Sequence, residues 1–229
     1  MYYDVTYIEK AEAQRYIPDL SLLHINRFLN DKTEYYLLKR LIDISLSALF
    51  LAILSPLLVL VIILIRIDSK GPAIFKQRRI GLHGKSFTFY KFRSMRIESV
   101  YNTPIVSKEG FLYKSKEDKR ITRIGRILRR TSIDELPQLF NVLVGDMSLI
   151  GPRPLIKEML EAYPLIKTIR SMIKPGLTGY WQISCRDKNN SVLDMIDWDI
   201  YYIKHCCLSF DIKILIKTME VVINGKGAV

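Results

Sequence analysis

The chain reads as a mostly helical α+β protein in which a membrane-seeking segment precedes a basic globular domain. Three observations predict this. Residues 44–65 contain no charged side chain, enough for about 33 Å of helix against a hydrocarbon core of about 30 Å. The net charge of +12 comes almost entirely from the part of the chain beyond that segment, since residues 66–229 carry +13. Apolar residues then recur mainly at helical spacing, with strand-like alternation concentrated near Phe87 and Phe89.

Taken in order, residues 1–38 form an N-terminal arm that mixes tyrosines (Tyr2, Tyr3, Tyr7, Tyr16, Tyr35, Tyr36) with charges. Tyrosines suit the headgroup level of a membrane as well as a protein surface. Residues 39–66 form the membrane segment, bracketed by Lys39, Arg40 and Arg66. Ser55-Pro56 falls at its middle. Proline frees the carbonyl four residues back and predicts a bend, while the Ser55 hydroxyl can donate to the orphaned carbonyl of Ala52. On these residues alone a kinked spanning helix and a dip that returns to the same face both stand, with spanning the simpler reading. The opening residues lack the charged start and cleavage site of a signal peptide, so no export is expected.

Residues 67–229 then form one domain. Ala73 to Met95 predicts a β-hairpin turning at Gly81 to Gly84, with Lys76, Arg78, Arg79, Lys85, Lys91, Arg93 and Arg96 along it. Such runs are usually solvated faces; here they also suit headgroups or phosphates. Glu98 to Phe111 is a polar, turn-rich loop, followed by a charged helix leading to Arg129, Arg130 and Asp134. Pro137 is tolerated in a first helical turn, so a helix is expected from about Asp134. Its free N–H groups would favour a phosphate beside Asp134 and Glu135, making a nucleophilic carboxylate one reading. The other is a capping box from Ser132 to Glu135, which spacing alone favours. Leu155 to Ile173 forms an apolar stripe flanked by Lys157, Lys167, Arg170 and Lys174, divided at Pro164, as in a core helix pair or helices lying in a membrane interface.

Cys185, Cys206 and Cys207 offer no CxxC and no even framework, so free thiols in a reducing compartment are expected. Asp194, Asp197 and Asp199 would spread around a helix, predicting exposed or capping roles in place of a metal cluster. His24, His83 and His205 stand apart from any partner in sequence.

The stretch Ser132-Ile133-Asp134-Glu135-Leu136-Pro137-Gln138, followed by Gly145-Asp146-Met147-Ser148 and Gly151-Pro152-Arg153-Pro154, resembles the bacterial sugar transferases, also called monotopic phosphoglycosyl transferases. Lys39-Arg40-Leu41-Ile42-Asp43, Tyr90-Lys91-Phe92-Arg93-Ser94-Met95 and Lys174-Pro175-Gly176-Leu177-Thr178-Gly179 match further family motifs, and similarity extends from about Lys39 to Val222. One departure is Ser184-Cys185, where Asn-Gly or Ser-Gly is usual; a Cβ there resists positive φ.

The resemblance implies a re-entrant membrane helix broken at Ser55-Pro56, on the bacterial inner membrane, with interfacial amphipathic helices and the catalytic domain facing the cytoplasm. It implies transfer of a sugar 1-phosphate from a UDP-sugar to undecaprenyl or another polyprenyl phosphate, with UMP released, as a first membrane step of surface glycan assembly. Asp134 would be the nucleophile and a magnesium ligand, and Glu135 the second acid. Lys91, Arg93, Arg129, Arg153, Gln182 and Arg186 would bind substrate. Magnesium is the implied cofactor. The partners are UDP-sugar, polyprenyl phosphate and membrane lipids, without nucleic acid, and a homodimer is left open. Two other functions fit the residues: a membrane-bound nucleotide-sugar pyrophosphatase, and a basic membrane-tethered binding module without catalysis.

Overall fold

The computed structural model describes residues 32–97, 118–161, 164–184 and 192–223. Helix α1 (Thr33–Asp68) carries the whole apolar segment within 36 residues. It is long and apolar enough to cross a membrane, and little of its most apolar stretch is buried. The helix runs through Pro56 without interruption, so the break expected there is not found. The Ser55 hydroxyl donates to the Ala52 carbonyl at 2.8 Å. That local bond satisfies the acceptor that proline orphans, and the helix can continue past it. The boundary expected after residue 38 falls inside this helix, and the arm before residue 32 lies outside the described residues.

Both flanks of the apolar segment are fastened to the same globular body. On the N-terminal side, Asp43 accepts from the Leu149 N–H at 2.9 Å, and Lys39 pairs with Asp211 at 2.5 Å. On the C-terminal side, Arg93 donates to the carbonyls of Ser69 and Lys70 at 2.7 and 2.6 Å. Between these ends Ser47, Val61 and Ile65 are buried, whereas Leu49, Phe50, Ile53, Leu60 and Ile63 are exposed. The uncovered face is thus apolar, and on the N-terminal flank Lys39 and Asp43 are turned inward, whereas Arg66 and Lys70 on the other flank are exposed.

Strands β1 (Ile74–Ile80) and β2 (Ser86–Phe92) form the expected antiparallel hairpin, with Phe75 opposite Lys91. Phe87 and Phe89 face the main core, which is the alternation read in the sequence. Helix α2 (Arg123–Arg130) follows, capped by the Thr122 hydroxyl, which accepts from the Gly125 N–H at 2.9 Å. A Cβ on Gly125 would lie 2.1 Å from the Ser94 carbonyl oxygen, so its bare backbone lets α2 rest directly on the residue after Arg93.

A 3-10 turn (Ile133–Glu135) and helix α3 (Gln138–Val144) replace the single helix expected from Asp134. The first α-helical bond of such a helix would need an N–H at Pro137, which has none, so the α-helical ladder starts downstream. Ser132 is left-handed (φ 57°) and makes no side-chain cap, so the expected capping box does not form. The Arg40 guanidinium donates to the carbonyls of Val142 and Leu143 at 2.6 and 2.8 Å, closing the C-terminus of α3.

Strand β3 (Ser148–Ile150) pairs in parallel with β4 (Gly176–Thr178). Three-residue strands are too short for periodicity to register, and the sequence reading predicts neither. Helices α4 (Lys157–Glu161) and α5 (Pro164–Arg170) divide at Pro164 as expected. Leu155, Ile156, Met159, Leu160, Ile169 and Ile173 lie in the main core, so this stripe is not a membrane-interface face. Helices α6 (Tyr180–Ser184), α7 (Val192–His205) and α8 (Leu208–Ile223) complete the described fold. Exposed Ile212, Ile216 and Met219 give α8 an uncovered apolar face instead.

Candidate active site

The left-handed Ser132 turns the chain after α2, and the 3-10 turn then directs Asp134 toward β2. Asp134 is 2% exposed, and its Oδ2 lies 2.6 Å from Lys91 Nζ. Glu135 points elsewhere: its Oε1 accepts from Arg153 Nη2 at 3.2 Å. The two neighbouring acids therefore have different cationic partners, as expected of adjacent residues that cannot share one direction.

Arg129 lies on the last turn of α2, and its Nε donates to the Ser94 hydroxyl at 2.9 Å. Burial lowers its affinity for a proton, and the nearby Asp134 charge pulls in the opposite direction. A pocket of about 180 Å³ is lined by Lys91, Arg129, Arg153, Arg79, Arg93 and Gln138, among others. Arg79 is pushed down to about 10 by burial. It donates to the Pro154 carbonyl at 3.1 Å, and its guanidinium lies over the Phe89 ring at 5.2 Å. So many cations around one small space favour an anion with several oxygens, and guanidinium forks suit phosphate geometry.

Gln138 adds a donor that sequence reasoning assigned no role. It is 2% exposed, and its Nε2 has no hydrogen-bond partner among the described residues. An unpaired buried amide costs about 1–3 kcal/mol, so a site that offers it an acceptor regains that loss. The only signal in the sequence was its place in the Asp134 motif.

Arg93 differs from the other sequence-selected cations. Beyond the two carbonyls at the end of α1 it reaches the Ser69 hydroxyl at 3.0 Å, so its bonds hold the membrane helix while it borders the pocket. Gln182 donates to the Leu177 carbonyl at 3.3 Å, and no contact described for it reaches the Lys91–Asp134 pair. Arg186 and Cys185 lie outside the described residues. Cys206 and Cys207 are free thiols.

Among the described residues no three acids, histidines or cysteines gather as a metal cage. Asp199 is buried against Arg170, unlike the exposed or capping role expected for it, and Asp197 is exposed. Lys91 engages Oδ2 of Asp134. One carboxylate joined by substrate phosphates is a donor set that suits magnesium, which keeps much of its water.

A larger cavity of about 320 Å³ lies between the start of α1 and the turn at His83. Its walls are mostly apolar, and Asp134, Lys91 and Arg129 do not line it. The smaller pocket is therefore the more cationic of the two.

The model of the bacterial sugar transferase family matches residues 34–225. The chain belongs to this family. It is 44% identical over 219 residues to an undecaprenyl-phosphate galactose phosphotransferase of Salmonella typhimurium, covering 92% of this chain and 45% of that protein. It is 39% identical over 194 residues to a UDP-glucose:undecaprenyl-phosphate glucose-1-phosphate transferase of Escherichia coli, covering 80% of this chain and 39% of the relative. An uncharacterized sugar transferase of Bacillus subtilis, EpsL, is 40% identical over 191 residues, 83% of this chain and 90% of its own length. The chain thus spans less than half of the first two relatives and most of the third.

Proposed function

We propose that this chain transfers a sugar 1-phosphate from a UDP-sugar to undecaprenyl or a related polyprenyl phosphate at the bacterial inner membrane, as an early step in surface glycan assembly. The observation that carries the reading is a buried carboxylate, Asp134, set beside a pocket of arginines and one lysine. The Salmonella and E. coli relatives, both named for undecaprenyl phosphate, support the acceptor.

An Asp134 oxygen attacks the phosphorus bonded to the sugar, and the bond to UMP breaks. The resulting acyl phosphate is reactive enough to hand the group onward, dividing one displacement between two anions into two steps. An oxygen of the lipid phosphate then attacks the same phosphorus and Asp134 is released. Lys91 holds Asp134 in place, while Arg129 and the amide of Gln138 are placed to meet phosphate oxygens. Arg153 fixes Glu135 as the second acid, acting as a base toward the acceptor or orienting it. Magnesium, held by Asp134 with the donor's diphosphate, would supply charge neutralisation.

The membrane side of the site also fits. An open apolar groove of about 520 Å³ is walled by Leu51, Leu58 and Ile62 of α1 and by Tyr90, Phe92 and Phe140. Phe92 also lines the cationic pocket, so a polyprenyl tail lying in the groove would present its phosphate to Asp134. One body grips both flanks of the apolar segment, which favours both flanks lying on one side of the bilayer, because a spanning helix would put one flank on the far side. Free thiols at Cys206 and Cys207 fit a catalytic domain facing the cytoplasm.

The test is UMP release from a panel of UDP-sugars in magnesium, with and without undecaprenyl phosphate. Lipid-dependent release with one sugar is the expected result. Lipid-independent release would replace the transferase with a pyrophosphatase, and silence across the panel would remove the catalytic reading. In the same assay Arg129→Lys is expected to lower kcat by about tenfold or more, since lysine keeps the charge but cannot both hold Ser94 and present a fork to phosphate.

A further inference from the structure

The Pro152-Arg153-Pro154 turn carries the arginine that reaches Glu135, yet its own support comes from farther along the chain. Arg170, at the end of α5, donates one arm to the Arg153 backbone carbonyl and another to Asp199 of α7. Asp199 is 1% exposed, and Arg170 is buried with it. On the other side of the turn, Arg79 takes the Pro154 carbonyl. The consecutive carbonyls of Arg153 and Pro154 are thus held by two guanidinium groups, that of Arg170 buried and that of Arg79 half-buried.

A buried ion pair is a poor source of net stability, because an apolar replacement of similar shape often does as well or better. What the pair can supply is direction. Arg170 uses its planar fork to join a fixed carboxylate to a backbone atom, which a single-headed cation could not do. The Arg153 charge is close enough to Asp199 to act on it, so the carboxylate, both arginines and Glu135 form one connected set.

Resting on the transfer reading above, we propose that Arg170 and Asp199 are positioning residues for the reaction: they fix the Arg153 backbone so that its guanidinium meets Glu135 and the phosphates beside it. They touch no substrate. Their effect passes through Arg153, and that dependence separates positioning from general support of the fold.

The experiment is a double-mutant cycle on the whole chain with Asp199→Asn, Arg153→Ala and the pair combined. It is read as kcat for UMP release with undecaprenyl phosphate, with melting temperature followed in parallel. Misplacing a catalytic side chain by about 1 Å can cost about a hundredfold, so Asp199→Asn alone is expected to lower kcat by about 10- to 100-fold. In the Arg153→Ala background the same change is expected to cost less than about threefold. An equal loss in both backgrounds, or no loss in the single variant, overturns the proposal. If Asp199→Asn does not fold, Arg170→Lys takes its place in the cycle with the same criteria. A wild-type protein silent on every UDP-sugar would bring down the transfer reading, and this proposal with it. Wild-type turnover with an additive cycle would overturn this proposal alone.

Discussion

Asp134→Asn is expected to reduce sugar-phosphate transfer by at least about a thousandfold while leaving the protein on the membrane. The amide has nearly the shape of the carboxylate, so the 2%-exposed site has no cavity to fill. It cannot form the acyl phosphate, and the covalent route is closed. Lys91 loses its anionic partner at 2.6 Å, but its side chain remains partly exposed and water can take over part of that role. Membrane attachment depends on α1, which is distant in sequence and has its own contacts. The decisive measurement uses a UDP-sugar labelled in the sugar. Wild-type protein denatured during turnover should retain label, and the variant should retain none. A variant that transfers at the wild-type rate would remove Asp134 as the nucleophile.

Gly176→Ala is expected to destabilise the fold by about 3 kcal/mol, lowering the melting temperature by roughly 10 °C for a chain of this size. A Cβ there would sit 2.1 Å from the Gly151 nitrogen and 2.4 Å from the Thr178 oxygen, both backbone atoms that cannot rotate away. The neighbouring bonds, Gly176 N–H to Pro152 carbonyl at 2.8 Å and Gly151 N–H to Thr178 carbonyl at 2.9 Å, would be forced apart. Because Pro152 and Gly151 adjoin Arg153, activity should fall with stability. Thermal unfolding in detergent, compared with wild type, checks the effect; an unchanged melting temperature would mean the two segments do not cross this closely.

Features whose physics is local were legible in the sequence. The alternation around Phe87 and Phe89 predicted the hairpin, the long uncharged run predicted α1, and the serine before Pro56 predicted the bond to Ala52. The candidate site was picked out by the family resemblance of its motifs, since spacing alone favoured a capping box; the structure brings Lys91, Arg129, Asp134, Glu135 and Arg153 together, although Lys91 and Arg153 lie 62 residues apart in sequence. What escaped was set by tertiary contacts. By residue pattern Arg93 is one cation in a basic run and the resemblance makes it a substrate binder; only the end of α1 makes it a helix cap. Asp199 reads as one acid among three on a helix, and only the arrival of Arg170 makes burial tolerable. The start of α3 lies beyond the expected position because Pro137 cannot close the first α-helical bond, a local cause whose effect falls one turn farther along the chain.

The grip on both flanks of α1 also bears on which membranes the protein can sit in. A helix that crosses a bilayer must match its thickness, and proteins built that way are sorted by it. Here the apolar face is framed at Lys39 and Asp43 on one side and at Ser69 and Lys70 on the other, all tied to one globular body. On the single-leaflet seating proposed above, the segment is a keel under the domain: its draught would be set by the protein, and the height of Asp134 above the lipid tails would stay the same in thick membranes and thin ones.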